Sequence, residues 1–175
     1  MEGEKDMKKT LYITSGAPCA GKTYFVNTRI DALGGTHISR DKIRLSLLSP
    51  GDYYFKNEHK VFETFIKQIQ KAIDTPRGNS DIYIDATHLN YNSRAKVLKK
   101  LNLNNVEKII VLWFDVPLEI LLKRNIINGK ERVPASAVET MAGSMDKPNK
   151  FEYNTCLPYE VWRIDEEGWI DVIDK

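Results

Sequence analysis

Cysteine is almost missing: Cys19 and Cys156 are the two among 175 residues. A pair so far apart, with one member inside a glycine loop that must stay open, excludes a disulfide-stapled secreted scaffold. It points to reduced thiols and a cytoplasmic location. Long apolar runs are missing as well. None approaches the roughly 20 residues that span a bilayer, so no membrane contact is expected. The start, Met1 to Lys9, is charged and lacks the apolar core of a signal peptide; a disordered or tag-like tail is expected there. One-signed charge is lacking too, since 26 Lys+Arg against 24 Asp+Glu leave a net +2. That balance is too mild to argue for nucleic acid by itself. Repeats and low-complexity tracts are absent. What remains is 42% hydrophobic and 29% charged, an ordinary globular composition that suits one domain over residues 10–175.

Against that plain background one stretch stands out, Gly16-Ala17-Pro18-Cys19-Ala20-Gly21-Lys22-Thr23, which fits G-x-x-x-x-G-K-[ST]. An apolar, β-branched and aromatic run, Thr10 to Ser15, precedes it, and a segment able to continue as a helix follows from Tyr24. Strand, glycine loop and helix form the context in which the motif has a mechanism. Gly16 and Gly21 permit backbone conformations closed to residues with a Cβ, so that successive N–H groups turn inward as an anion nest. The helix beginning near Lys22 adds its positive end. Lys22 is then expected at the β- and γ-phosphates of ATP, and the Thr23 hydroxyl on Mg²⁺.

The rest of the chain alternates. A first helix over 22–33 ends at Gly34-Gly35, and Thr36 to Arg40 reads as a short strand. Asp41 stands where that strand hands over to a helix, at the edge where parallel sheets bind ligands; a helix N-cap is its plainer use. Glu58 to Ile73 is amphipathic, with Val61, Phe65, Ile69 and Ile73 at helical spacing. Asp81 to Thr87 is an apolar strand ending in Asp85, an acid placed to hold the water shell of Mg²⁺ or orient a nucleophile. His88 follows as a candidate substrate contact, although a solvated loop histidine is the blander reading. Arg94, Lys96, Lys99 and Lys100 give the next helix a basic face, expected to be solvated. Lys108 to Val116 is a near-continuous apolar strand, as a strand buried on both faces should be. Arg124 and Arg132 flank a Gly-containing segment over 124–134, where two guanidinium groups suit a lid over a transferred phosphoryl group. The expected fold is α/β: a P-loop NTPase three-layer sandwich with an open parallel sheet of about five strands, helices on both faces and a small helical lid.

Several of these signals occur together elsewhere. The glycine loop, Ser39-Arg40-Asp41, Asp85-Ala86-Thr87-His88-Leu89-Asn90, Phe114-Asp115-Val116-Pro117, Lys123-Arg124-Asn125 and Val133-Pro134 follow the order found in P-loop polynucleotide kinases. The chain resembles that family over about residues 10–147, most of all its phage 5′-end-healing branch. The resemblance implies an ATP-dependent, Mg²⁺-requiring kinase acting on the 5′-hydroxyl of DNA or RNA. Asp41 would be the general base, Arg44 a contact to the substrate's phosphate, and Arg124 a neighbour of the ATP phosphates. Two departures are visible. The family's lid arginine falls on Asn128, with Arg132 as its replacement four residues on, and Asp85 is shifted by one. Donor chemistry is untouched by either, whereas the acceptor is left open. A kinase for a small hydroxylated acceptor such as a nucleoside, sugar, antibiotic or nucleotide sugar is the first alternative. A non-transferring ATP-binding module is the second, and the acid and two lid arginines speak against it. The base pocket has little pattern, and the loop at Asn154 to Tyr159 is its expected place.

Overall fold

The structure, a computed structural model, describes residues 8–127, 129–153 and 155–175. Eight strands and six helices run in the order β1 (Lys9–Ser15), α1 (Lys22–Leu33), β2 (Thr36–Ser39), α2 (Arg40–Ser46), α3 (Glu58–Asp74), β3 (Asp81–Asp85), α4 (Tyr91–Leu98), β4 (Val106–Phe114), α5 (Leu118–Asn125), β5 (Ile126–Ile127), β6 (Lys130–Glu131), α6 (Ala135–Gly143), β7 (Tyr159–Ile164) and β8 (Ile170–Asp174). The main sheet has the order β2-β3-β1-β4-β7-β8. All neighbours pair in parallel except β7 and β8. The sheet thus has six strands instead of about five. The connection over 165–169 is too short for a parallel crossover, so β8 folds back as an antiparallel edge.

Alternation along each strand sorts the core into two layers. Leu11, Ile13, Ile82, Ile84, Ile109 and Val111 face α2, α3 and α4, where Ile43, Val61, Phe65, Ile69 and Ile73 meet them. Tyr12, Tyr83, Ile110, Leu112 and Phe114 face the other way, toward Val26 of α1, Leu121 of α5 and Val138 of α6. This is the expected three-layer sandwich. The central strands are apolar on both sides, as burial between two helical layers requires. Among the described residues no helix is long and apolar enough to cross a membrane.

Three local expectations change. Lys9, assigned to the tail, opens β1, is 1% exposed and donates through Nζ to the Gly78 and Asn79 carbonyls. The lid is not helical: after α5 the chain forms a small antiparallel hairpin, with Ile126 opposite Glu131 and Ile127 opposite Lys130. Two β-branched residues ahead of Gly129, which has φ +72°, favour that turn over another helical turn. Arg94 does not belong to a solvated face. It is 1% exposed and pairs with Glu152 and Asp146, with Nε 2.8 Å from Glu152 Oε2. Its Nη1 also donates to the His88 carbonyl and Ser15 Oγ. The arginine ties the 146–152 segment to the root of the glycine loop.

Because Glu152 is buried against it, Arg94→Met is expected to lose about 3–5 kcal/mol by leaving an unpaired buried carboxylate. The double change Arg94→Met with Glu152→Leu should recover most of that in urea unfolding. Equal losses in the single and double variants would show that packing, not charge, sets the effect.

Candidate active site

Where β1 ends, the chain lies against β4. A Cβ on Gly16 would come within 2.8 Å of the Phe114 Cβ, so only glycine fits. Cys19 takes φ +66°, which costs a residue bearing a Cβ roughly 1–2 kcal/mol. Gly21, at φ +91°, leads directly into α1. The root of the loop is stitched to the exit of β3: Gly16 N–H donates to the Thr87 carbonyl at 2.8 Å, Ser15 Oγ to the His88 carbonyl at 2.9 Å, and Thr14 Oγ1 to the Ala86 carbonyl at 2.7 Å. These bonds hold residues 16–23 at the carboxyl edge of the sheet, with the positive end of α1 behind them. Ala17, Pro18 and Ala20 complete the loop between the structural glycines.

Asp85 lies beside this loop and is 4% exposed. Its Oδ2 accepts from Thr23 Oγ1 at 2.9 Å and lies 2.9 Å from His37 Nε2. Burial pushes its pKa up, but hydrogen bonds from His37 and Thr23, together with the Lys22 charge, outweigh burial and hold it below the ordinary value. A hydroxyl and an ionised carboxylate converging at a phosphate loop are hard oxygen donors of the kind that suit Mg²⁺, which keeps waters and phosphate oxygens as its other ligands. Lys22 Nζ lies 2.7 Å from the Ala17 carbonyl. Burial lowers its pKa, against the fields of Asp85, Asp41 and Cys19. The Asp41 charge is also felt at Lys22.

Asp41 does not cap its helix. Ser39 takes that role, accepting from Lys42 N–H at 3.3 Å, so the Asp41 carboxylate is left out of the cap and is 72% exposed. It pairs with Arg44 Nη1 and accepts from the Tyr54 hydroxyl at 3.3 Å. Arg44 is turned inward, 6% exposed. Its guanidinium is occupied by Asp41, by Tyr54 at 3.2 Å and by Glu58 at 2.5 and 3.2 Å. The side chain expected at the substrate's phosphate is thus engaged by Asp41, Tyr54 and Glu58. His88, expected at the substrate, is buried at 3% exposure, with Nδ1 2.9 Å from the Thr14 carbonyl and its ring stacked on Phe65. Burial pushes its pKa down to about 4. It is a neutral brace between β1 and the exit of β3.

On the other side of the loop a cavity of about 580 Å³ is lined by Gly21, Tyr24, Phe25, Phe114, both Arg124 and Arg132, and the 164–168 turn. Arg124 bridges its two walls, donating to the Ala20 carbonyl at 3.4 Å and to the Glu166 carbonyl. This cavity lies at the β7–β8 turn, away from the 155–159 loop expected to hold the base; Asn154 and Asn128 lie outside the described residues. The lid hairpin is fastened by Asn125, which is 1% exposed. Its Nδ2 donates to the Val133 carbonyl at 2.7 Å, and its Oδ1 accepts from Val133 N–H at 3.1 Å and from Cys19 Sγ at 3.6 Å.

His37, Glu58, Tyr54 and Asn125 escaped the sequence reading. His37 had one usable signal: it sits two residues before Ser39, which pairs with Asp85, and so shares its face. Glu58 and Tyr54 had none, because their partners lie across a loop.

The sheet order and the glycine loop together define a P-loop NTPase fold. A family model described as an AAA domain matches residues 11–148, and the chain belongs to that family. No curated protein matches it in sequence. Among solved structures, one in the Pnkp1/Rnl/Hen1 RNA repair complex superposes with TM-score 0.62 at 22% identity, covering 83% of this chain and 46% of that one. The chain thus spans less than half of that relative's length. A Chloroflexus aurantiacus protein matches with TM-score 0.67 at 14% identity over 92% and 87% of the two chains. A sugar kinase from Janibacter matches with TM-score 0.60 at 15% identity over 93% and 87%. These likenesses are of fold, and they bear out the P-loop kinase architecture read from the sequence.

Two outcomes are expected. His88 stays neutral in the fold down to about pH 4, whereas in the unfolded chain it takes up a proton near 6.5. Its contribution is therefore intact above pH 6.5 and is lost as pH falls toward 4, by about 3 kcal/mol in all. His88→Asn should flatten that part of the urea-unfolding profile between pH 7 and 4.5; an unchanged slope would remove His88 as its source. Asn125→Ala should lose roughly 1–3 kcal/mol through the unpaired Val133 groups and raise amide exchange selectively at Arg132 and Val133. A uniform rise across the sheet would contradict a local fastening.

Proposed function

We propose that the chain is an ATP-dependent kinase that transfers the γ-phosphate to the 5′-hydroxyl of a polynucleotide, DNA or RNA. The observation that carries this reading is Asp41: an exposed carboxylate relieved of helix capping by Ser39, held by Arg44 and Tyr54 and near enough to Lys22 for its charge to be felt there. A switch NTPase has no need of such a group.

The steps follow from placement. Residues 16–23 cradle the triphosphate through backbone N–H groups, and the 580 Å³ cavity takes the base. Asp41 accepts the proton of the acceptor hydroxyl as its oxygen bonds to the γ-phosphorus and the bond to the β-γ bridging oxygen breaks, releasing ADP. Lys22, Arg124 and Arg132 spread positive charge over the moving phosphoryl group, where planar, permanently charged guanidinium groups match its oxygens. Mg²⁺ held by Thr23 and Asp85 would neutralise charge on the β- and γ-phosphate oxygens. Arg44 acts through Asp41 as a positioning residue, and His88 supports the loop from beneath.

Support for a polynucleotide acceptor comes from the Ser39-Arg40-Asp41 turn and from the likeness to a component of an RNA repair complex. A small hydroxylated acceptor is the second reading, favoured by the near full-length match to a sugar kinase.

Transfer of labelled phosphate from ATP to a 5′-hydroxyl oligonucleotide should occur. It should fall by roughly 10²–10⁴ in kcat for Asp41→Asn, with ATP binding kept, and Lys22→Ala should lose ATP affinity. Normal turnover by Asp41→Asn would remove the general base. Labelling of a sugar or nucleoside and of no oligonucleotide would select the second reading.

A further inference from the structure

Beside Asp41 lies a surface that the phosphoryl-transfer chemistry leaves unused. The loop between α2 and α3 carries Tyr53, Tyr54 and Phe55, which are 68%, 41% and 45% exposed. Three neighbouring aromatic side chains in water form an apolar patch of the kind that marks a binding site. The patch is preformed. Phe55 packs edge-on against both neighbours, with ring centroids 5.8 Å from Tyr53 and 4.8 Å from Tyr54. The Arg44 guanidinium lies 4.8 Å from the Tyr54 ring and 5.4 Å from that of Phe55. Arg44 is itself locked by Glu58 and Asp41, and the Tyr54 hydroxyl donates to Asp41. One buried arginine therefore sets both the candidate proton acceptor and the aromatic loop.

We propose that residues 53–55 are an acceptor subsite that stacks the terminal base of a nucleic acid strand while the 5′-hydroxyl of the same nucleotide meets Asp41. The inference rests on the kinase reading above and names its acceptor. Two features favour this occupant. Every base offers a π-face, so an aromatic platform holds a strand end whatever its sequence. The surroundings also suit a polyanion: over residues 40–58 the basic Arg40, Lys42, Arg44 and Lys56 outnumber the acidic Asp41, Asp52 and Glu58; Lys42 is exposed, and Lys56, paired with Asp52 at 2.7 Å, is exposed beside the aromatic loop. A simple sugar needs several polar partners for its hydroxyls, and the two tyrosine hydroxyls, one already bonded to Asp41, supply few.

The test compares a short 5′-hydroxyl oligonucleotide with the same strand abasic at its first nucleotide. Wild type should prefer the base-bearing strand by about tenfold or more in acceptor kcat/KM. Tyr53→Ala combined with Phe55→Ala should bring that strand down to the abasic level, while Tyr53→Phe with Phe55→Tyr keeps the preference; ATP KM reports an intact fold. No preference in wild type, or an equal fall for both strands in the alanine variant, would overturn the stacking subsite and leave the kinase reading standing. Phosphorylation of a small hydroxylated acceptor and of neither strand would remove the polynucleotide reading itself, and the subsite with it.

Discussion

A parallel sheet covered by helices on both faces cannot tolerate unpaired polar groups along its strands, so its chemistry collects where strands end. In this protein the decisive junction is the pairing of β1 with β3. Ile13 lies opposite Ile84, which brings the glycine loop after Ser15 beside the acid at the end of β3. Thr14, Ser15 and Gly16 then bond successive groups of the β3 exit. That stitching sets the distance between the amide nest and Asp85, and the Thr23–Asp85 contact at 2.9 Å is its consequence. Arg94 and His88 reinforce the junction from below without touching what it would bind.

Charge at this edge is managed in two ways. Asp85 is buried and its pKa is held down by the donors around it, whereas Asp41 is exposed and held in place by a buried arginine. The difference fits their positions: a buried acid with fixed donors is preorganised for a cation, and an exposed acid on a braced helix can meet an incoming hydroxyl. Arg44 owes its own place to Glu58, whose carboxyl is held below its ordinary pKa first of all by the hydrogen bond from Arg44.

The sequence disclosed whatever repeats along it. The loop motif carries its own spacing; α3 announced itself by Val61, Phe65, Ile69 and Ile73, all at most 1% exposed; β4 did so by an unbroken apolar run. What stayed hidden depends on pairs distant in the chain. Arg94 looked like one more cation on a basic helix, since its partners lie 52 and 58 residues away. His88 looked like a loop residue, because burial under Phe65 leaves no trace in a single sequence. The lid hairpin has strands of two residues, too short to show alternation, and the base cavity is walled by a turn that reads only as a turn.

The lid shows why such pairs matter beyond stability. Arg124 sits on α5 and Arg132 beyond the hairpin, and a loop between them would scatter the second arginine. Asn125 prevents this by bonding both backbone groups of Val133 while its main-chain carbonyl accepts from Arg132 N–H at 2.9 Å. The same side chain receives the Cys19 thiol from the glycine loop. The glycine loop and the hairpin are thereby both tied to one buried amide. Asp41 has a separate anchor, the Arg44–Glu58 pair on α2 and α3. Two separate buried side chains, Asn125 and Arg44, thus each organise one group of residues near the carboxyl edge of the sheet.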